Sequence, residues 1–253
     1  MKLFGLVVTR NHRSLDYMPV EAARSLFSIC DTVVVSDMES DDGSWEDLNE
    51  KLGTTRHVRL LRQPWEKPHN DPQWWVKALN YARERLDPDA WVLQLDADEV
   101  LGSESYSSIK LAIQDETPGL FRRYTFWRDP HHLVPWNKCC GEMVARLGPC
   151  NLYLPSDEPN PAVHPNIRDR AEVYSGLHIY HYGMIRYPEA FVAKSRVVQN
   201  CFFGGLDPRI PAAQEKYARW DEHDFFDGEP LRDFTGQHPE VARPWLLERG
   251  YQP

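Results

Sequence analysis

Asp96, Asp98 and Glu99 place three carboxylates within four positions, directly after the apolar run Trp91-Val92-Leu93-Gln94-Leu95. In an extended segment Asp96 and Asp98 share a face, because side chains two apart point the same way. Two neighbouring carboxylates repel each other unless a cation or a proton lies between them. A divalent metal carrying a diphosphate meets that need, since hard cations take oxygen ligands and are often held by one or two carboxylates plus phosphate. The other reading of the same residues is an acidic strand-to-helix turn that caps Ser103-Glu104-Ser105. In either case the run reads as a buried strand whose carboxyl end opens into a polar cleft, the place where open α/β sheets hold their ligands.

The elements that must position these carboxylates follow from the pattern of the chain. Residues 3–8 read as a first buried strand, ending at the polar Thr9-Arg10-Asn11-His12. Residues 17–29 carry apolar side chains near helical spacing. Thr32-Val33-Val34-Val35 is a β-branched second strand, ending at Ser36-Asp37 and a loop rich in turn formers. A short helix over 45–52 has Ser44 as its expected N-cap. A third strand over 57–61, a helix over 73–86 and the strand at 91–95 complete an alternation that predicts an α/β fold: a mostly parallel, Rossmann-like sheet with helices on both faces. Three strands then end at Thr9-Arg10-Asn11, Asp37 and Asp96-x-Asp98, on one rim. Asp37 itself reads either as a group accepting hydrogen bonds from a base or ribose, or as a turn-forming Asp.

The pattern changes after Pro118. Strands are expected over 120–127, 142–147 and 174–182, a helix over 188–202 and another around 212–220. The domain expectation is one part over 1–118 and a second part, with C-terminal helices, over 119–253.

Composition narrows the function classes. The chain has 253 residues, 29 basic against 38 acidic, and a formal net charge of −9. That argues against a nucleic-acid binder, which needs a basic face, and leaves room for a small anionic ligand held through a metal. Aromatic residues make up 12 % with nine Trp, as in proteins that pack sugar rings and also in large cores. Five cysteines, with no C-x-x-C pair, describe neither a disulfide framework nor a zinc site. Reduced thiols in a cytoplasmic protein are the simplest reading. The apolar start over 3–8 is too short for a signal or a membrane span. The absence of G-x-G-x-x-G and of G-x-x-x-x-G-K-[ST] speaks against a dinucleotide oxidoreductase and a P-loop kinase.

Four segments together resemble the family-2 glycosyltransferases of GT-A fold. They are Thr9-Arg10-Asn11, Asp37-x-x-Ser40-x-Asp42-Gly43-Ser44-x-Glu46, Leu95-Asp96-Ala97-Asp98-Glu99 and His181-Tyr182-Gly183-Met184-Ile185-Arg186-x-Pro188-Glu189. The last is similar to a segment of a bacterial and phage branch. The resemblance is specific over 1–105, thinner around 142–146 and 178–196, and absent beyond about 205.

This resemblance implies a hexosyltransferase using a nucleotide-sugar donor, a UDP-sugar favoured, and a carbohydrate or other hydroxyl acceptor, a modified base included. Asp37 would hold the nucleoside, with Thr9, Arg10 and Asn11 in the first loop of its pocket, and Lys77 would be either a basic residue near the donor or an exposed helix charge. Asp96 would face the ribose or the metal. Asp98 would ligate Mn²⁺ or Mg²⁺, with His181 as a third ligand or merely a packed histidine. Glu99 would orient the turn. Inverting transfer needs a general base for the acceptor hydroxyl. Glu142, in Glu142-Met-Val-Ala-Arg146, is the first candidate and Asp129 the second, with Asp157 and Glu158 behind them. The alternatives are a sugar-phosphate nucleotidyltransferase, which ordinarily carries a Gly-rich basic loop after its first strand, and a non-catalytic nucleotide- or carbohydrate-binding module.

Overall fold

The computed structural model describes residues 1–65, 74–135, 143–150, 176–202 and 228–252. Strands β1 (Leu3–Thr9), β2 (Thr32–Asp37), β3 (Val58–Arg62) and β4 (Trp91–Asp96) form the parallel half of one sheet. Helices α1 (Pro19–Ser25), α2 (Ser44–Leu52) and α3 (Trp74–Arg83) connect them. After β4 come β5 (Glu99–Leu101), α4 (Tyr106–Gln114), β6 (Gly119–Thr125), β7 (His132–Leu133), β8 (Met143–Pro149) and β9 (His178–His181). Helix α5 (Pro188–Phe202), β10 (Arg232–Asp233) and α6 (Arg243–Glu248) follow.

Eight strands make one sheet in the order β3-β2-β1-β4-β8-β6-β9-β5, and β10 pairs with β7 apart from it. The sheet therefore runs without interruption across position 118. Both faces are covered, as the alternation predicts. One core joins the sheet to α1, α2 and α4 through Val20, Leu26, Leu48 and Ile109, and the other packs Val76, Leu79 and Ala82 of α3 against Leu6, Val8 and Val34. Val33, Val34 and Val35 are buried on alternating faces, each contributing about 1.5–3 kcal/mol of burial. Gly5 allows the closest approach of α1, since a Cβ there would fall 2.8 Å from the Leu26 side chain.

Several local expectations change. The helix over 17–29 is shortened to Pro19–Ser25 because Met18 N–H donates to Ala97 O, and residues 26–29 wind on with i→i−3 bonds such as Phe27 N to Arg24 O. Ser44 is the first helical residue of α2, and Gly43, at φ +85°, takes the cap position. The Ser44 hydroxyl faces outward from the helix and accepts from Arg13 N at 3.1 Å. Strand β5 and strand β7 add short pairings where the pattern predicts none. The helix expected around 212–220 lies outside the described residues. Cys30 and Cys150 are buried free thiols. Among the described residues, no helix is long and apolar enough to cross a membrane.

A third core seats the C-terminal segment. Phe126, Trp127, Tyr180 and Tyr182 pack with Trp245 and Leu246. Tyr182 OH donates to His238 Nδ1 at 2.9 Å, and His238 Nε2 donates to Pro130 O at 2.8 Å. An Arg249–Asp16 ion pair ties the segment to the loop after β1.

Candidate functional site

The register places the predicted chemistry on one rim. Thr9 lies beside Asp37, and Val8 lies beside both Ser36 and Asp96. A cavity of about 310 Å³ opens at these strand ends, lined among others by Thr9, Arg10, Trp65, Asp96, Asp98 and Lys194. That is the lower end of the size range for small-molecule sites.

Asp98 is the centre of the site. It is only 4 % exposed. Its Oδ2 accepts from the Arg186 guanidinium and, at 2.9 Å, from Lys194 Nζ. Its Oδ1 lies 3.5 Å from His181 Nε2. Burial pushes its carboxyl pKa up, but Lys194, His181 and Arg186 together outweigh burial and hold it well below the ordinary value. Asp98 is therefore a carboxylate throughout the physiological range.

The turn that presents Asp98 is fixed from two directions. Within it, Asp96 N–H donates to Glu99 Oε2 at 3.0 Å, and Glu99 is fully buried with Arg123 at 3.5 Å. Glu99 thus orients the turn, as expected. From outside, β5 pairs with β9, setting Glu99 opposite His181, while Tyr182 N–H donates to Asp98 O. Antiparallel pairing of two strands distant in sequence is what brings His181 to Asp98.

Arg186 is wholly buried and committed. It donates from Nε to Gly183 O at 2.6 Å, from one terminal nitrogen to Leu15 O, and from the other to Asp98. Tyr17 lies against both cations, 4.1 Å from the Arg186 guanidinium carbon and 5.2 Å from Lys194 Nζ. The ring's negative face favours that stacking.

The D-x-x-S-x-D-G-S segment works as a clamp. Asp37 is fully buried, and its carboxylate accepts from Ser40 N and Ser40 Oγ. It closes the turn after β2 and is not among the cavity lining. Asn11 N donates to Ser40 Oγ, Asn11 Nδ2 donates to Asp41 Oδ1, and Asp41 N donates to Asn11 Oδ1. Ser14 N donates to Asp42 Oδ2. These bonds bind the β1 loop to the β2 loop, so Asn11 acts as a latch.

Arg10 and Thr9 do line the cavity. Arg10 stacks 4.5 Å above the Trp65 ring and pairs with Asp41 at 3.0 Å. Among the described residues, the buried Thr9 hydroxyl has no hydrogen-bond partner. Lys77 is exposed on α3 and does not line the cavity. Asp129 also lies elsewhere. Its carboxylate accepts from His131 N at 2.7 Å, His132 N at 3.0 Å and His132 Nδ1 at 2.8 Å, which closes its own loop. Glu142, Asp157 and Glu158 lie outside the described residues. Lys194, Arg186, Tyr17 and Trp65 received no role from the sequence. Arg186 sits inside a quoted motif and was the one of these within reach.

A divalent metal fits beside Asp98 and His181. Their facing atoms, 3.5 Å apart, are spanned by metal–ligand bonds of about 2.1 Å. Gly183 leaves the space: a Cβ there would fall 2.6 Å from Asp98 Oδ2 and closer still to His181 Nε2. Among the described residues, no three His, Cys, Asp or Glu side chains gather as a complete cage. The remaining ligands would be water and phosphate, as is usual where a metal is bound through its substrate.

No protein-family model matches the chain. In sequence it is 27 % identical over 146 residues to an uncharacterized glycosyltransferase of Rickettsia conorii, RC0292. The match covers 54 % of this chain and 46 % of that protein, so the chain matches about half the length of its relative. In structure it is similar to the mannosyltransferase PcManGT from Pyrobaculum calidifontis, solved with GDP-Man and Mn²⁺. That likeness has a TM-score of 0.50 and 13 % identity, and covers 98 % of this chain and 79 % of the other. The fold is of the GT-A type. S. aureus TarS residues 1–349, solved with UDP-GlcNAc, align over 89 % of this chain and 73 % of that one at 16 % identity and a TM-score of 0.49. In GT-A terms the cavity lies at the carboxyl rim of the parallel half, where the sheet turns from parallel to antiparallel between β4 and β8.

Proposed function

We propose that the chain is a divalent-metal-dependent glycosyltransferase that takes a nucleoside-diphosphate sugar, UDP-linked in the first instance, and transfers its hexosyl group with inversion to a hydroxyl acceptor. The observation that carries the reading is the buried Asp98 at the cavity wall, with His181 on one oxygen and Lys194 and Arg186 on the other. One carboxylate, one imidazole and two cations at a strand end make a site for a metal-bound diphosphate. The rickettsial relative and the mannosyltransferase likeness support the same class.

The residues divide the work. Trp65, backed by Arg10, gives an aromatic face against which a nucleobase stacks. The Thr9 hydroxyl is open to a ligand, and Asp96, lining the same cavity, accepts from ribose hydroxyls. Asp37 and Asn11 hold these loops in place instead of touching the nucleotide. Asp98 and His181 hold Mn²⁺ or Mg²⁺. Bound there, the metal neutralises charge developing on the departing diphosphate. Lys194 faces the same volume and adds a positive charge there.

Glu142, just before β8, is the proposed base that takes the acceptor hydroxyl's proton as its oxygen attacks the anomeric carbon. Asp129, with both oxygens engaged by its own loop, stands behind it.

The test is release of free nucleoside diphosphate from a panel of UDP- and GDP-sugars, with Mn²⁺ or EDTA, in wild type, Asp98→Asn and Glu142→Gln. Metal-dependent release that both substitutions abolish supports the reading. Release of pyrophosphate from a nucleoside triphosphate and a sugar phosphate, with none from the panel, contradicts it.

A further inference from the structure

Lys194 is placed where a metal's charge is needed. It comes from α5, lines the cavity, and has its ammonium 2.9 Å from Asp98 Oδ2. Its side chain is 24 % exposed, whereas that of Arg186 on the same oxygen is not exposed at all. The two cations therefore differ in freedom. Arg186 is anchored by two backbone carbonyls, while Lys194 sits on a flexible four-carbon stem beside open volume. The Tyr17 ring lies 5.2 Å from the same ammonium and offers it an aromatic face beside Asp98.

We infer that Lys194 is the resident counter-ion of Asp98 in the empty site and changes partner on loading, passing from Asp98 to the diphosphate when a divalent cation takes its place. This rests on the donor reading above for the identity of the anion. The exchange is a matter of charge. Asp98 is buried and needs a cation in either state. A metal beside Lys194 Nζ and Arg186 would face two positive charges, and moving one of them onto an incoming diphosphate removes that repulsion and makes a charge-assisted hydrogen bond. Metal and diphosphate then bind cooperatively, each favouring the state the other requires. Lys194 is on this account a binding residue for the leaving group as well as a brake on metal binding without nucleotide.

The experiment is a Mn²⁺ titration followed by electron paramagnetic resonance, on the full chain, without nucleotide and then with UDP or GDP. Wild type is compared with Lys194→Met, Lys194→Arg and the exposed-charge control Lys110→Met. Without nucleotide, Lys194→Met is expected to bind Mn²⁺ about tenfold more tightly than wild type, the scale of one unit charge close by in a near-aqueous medium. Lys194→Arg and Lys110→Met should match wild type. With Mn²⁺ present, Lys194→Met should bind the diphosphate about tenfold more weakly, from loss of one charged contact, with Lys194→Arg partly restoring it. No gain in Mn²⁺ affinity in Lys194→Met, including no detectable binding in either protein, overturns the inference. So does a gain in metal affinity with unchanged diphosphate affinity, which makes Lys194 a repelling charge and nothing more. Wild type that takes up Mn²⁺ but neither nucleotide contradicts the donor reading instead, and the metal titration alone then decides whether Lys194 and metal compete for Asp98. Melting curves of each variant show whether a loss is one of folding.

Discussion

Asp98 Oδ1 and His181 Nε2 face each other at 3.5 Å with no side chain between them, because the residue beside them is Gly183. Gly183 is not among the glycines with a positive φ, so its small size matters here and its backbone freedom does not. Gly183→Ala should leave the backbone unstrained and put a methyl group against His181 Nε2 and the Asp98 carboxylate at Oδ2. We expect Mn²⁺ affinity to fall by about tenfold or more, since a displacement near 1 Å is enough to spoil such a site. The melting temperature should fall by only about 3–6 °C, as for ordinary overpacking of 1–2 kcal/mol in a chain of this size. Calorimetric metal titration and thermal melting on the same protein check both.

The Asn11 latch makes a prediction that separates positioning from direct contact. Asn11 sits at φ 51°, a conformation that Asn tolerates better than most residues. It ties the β1 loop to Ser40 and Asp41. Asn11→Ala loses two side-chain bonds and strains the backbone, a loss of about 1–3 kcal/mol. Asn11→Gly relieves the strain alone. Stability should therefore order as wild type, Gly, Ala in denaturant unfolding. Nucleotide affinity should follow the same order. A direct contact with the nucleotide would instead lower affinity equally in both variants.

His238 gives the pH dependence. Its Nε2 donates to Pro130 O, so its Nδ1 is the unprotonated acceptor for Tyr182 OH. Burial, helped by the nearby His131 and Arg243 and opposed by the bond to Pro130, moves its pKa down to about 4. The folded state thus binds fewer protons than the unfolded state between pH 6.5 and 4. Stability from this group is complete above pH 6.5 and is lost as pH falls toward 4, amounting to roughly 3 kcal/mol. Unfolding free energies measured across that window should show the decline in wild type and a flatter profile in His238→Gln.

The parallel half of the fold is legible in the sequence because β1, β2 and β4 are buried apolar or β-branched runs with polar or turn-forming residues after them, and only the edge strand β3, Val-Arg-Leu-Leu-Arg, is weakly marked. Val33-Val34-Val35 and the run at 91–95 could hardly be anything else at that spacing. The rim follows, since strand ends carry Thr9, Asp37 and Asp96. Legibility fails where an outcome depends on tertiary pairing. Strand β5 has three residues, too few to show a period, yet its pairing with β9 delivers His181. Asp37 reads as ligand contact or as turn former, and its bonds to Ser40, which close the turn, form only once the loop after β2 folds back. Lys194 looks like any exposed helical lysine until α5 docks and turns it toward Asp98. Trp65 follows a proline in a loop, with no pattern to mark it as a stacking face beside Arg10.

The central claim is that Asp98 binds a nucleoside diphosphate through a divalent cation. Calorimetric titration of UDP and GDP into wild type and Asp98→Asn, each with Mn²⁺ and with EDTA, tests it most directly. The account predicts that one of the two nucleotides binds wild type with Mn²⁺ at least tenfold more tightly than with EDTA, a difference of about 1.4 kcal/mol or more. It predicts that Asp98→Asn abolishes that difference while remaining folded by circular dichroism. Nucleotide binding of equal strength with and without metal, or a metal effect that survives in Asp98→Asn, would contradict it.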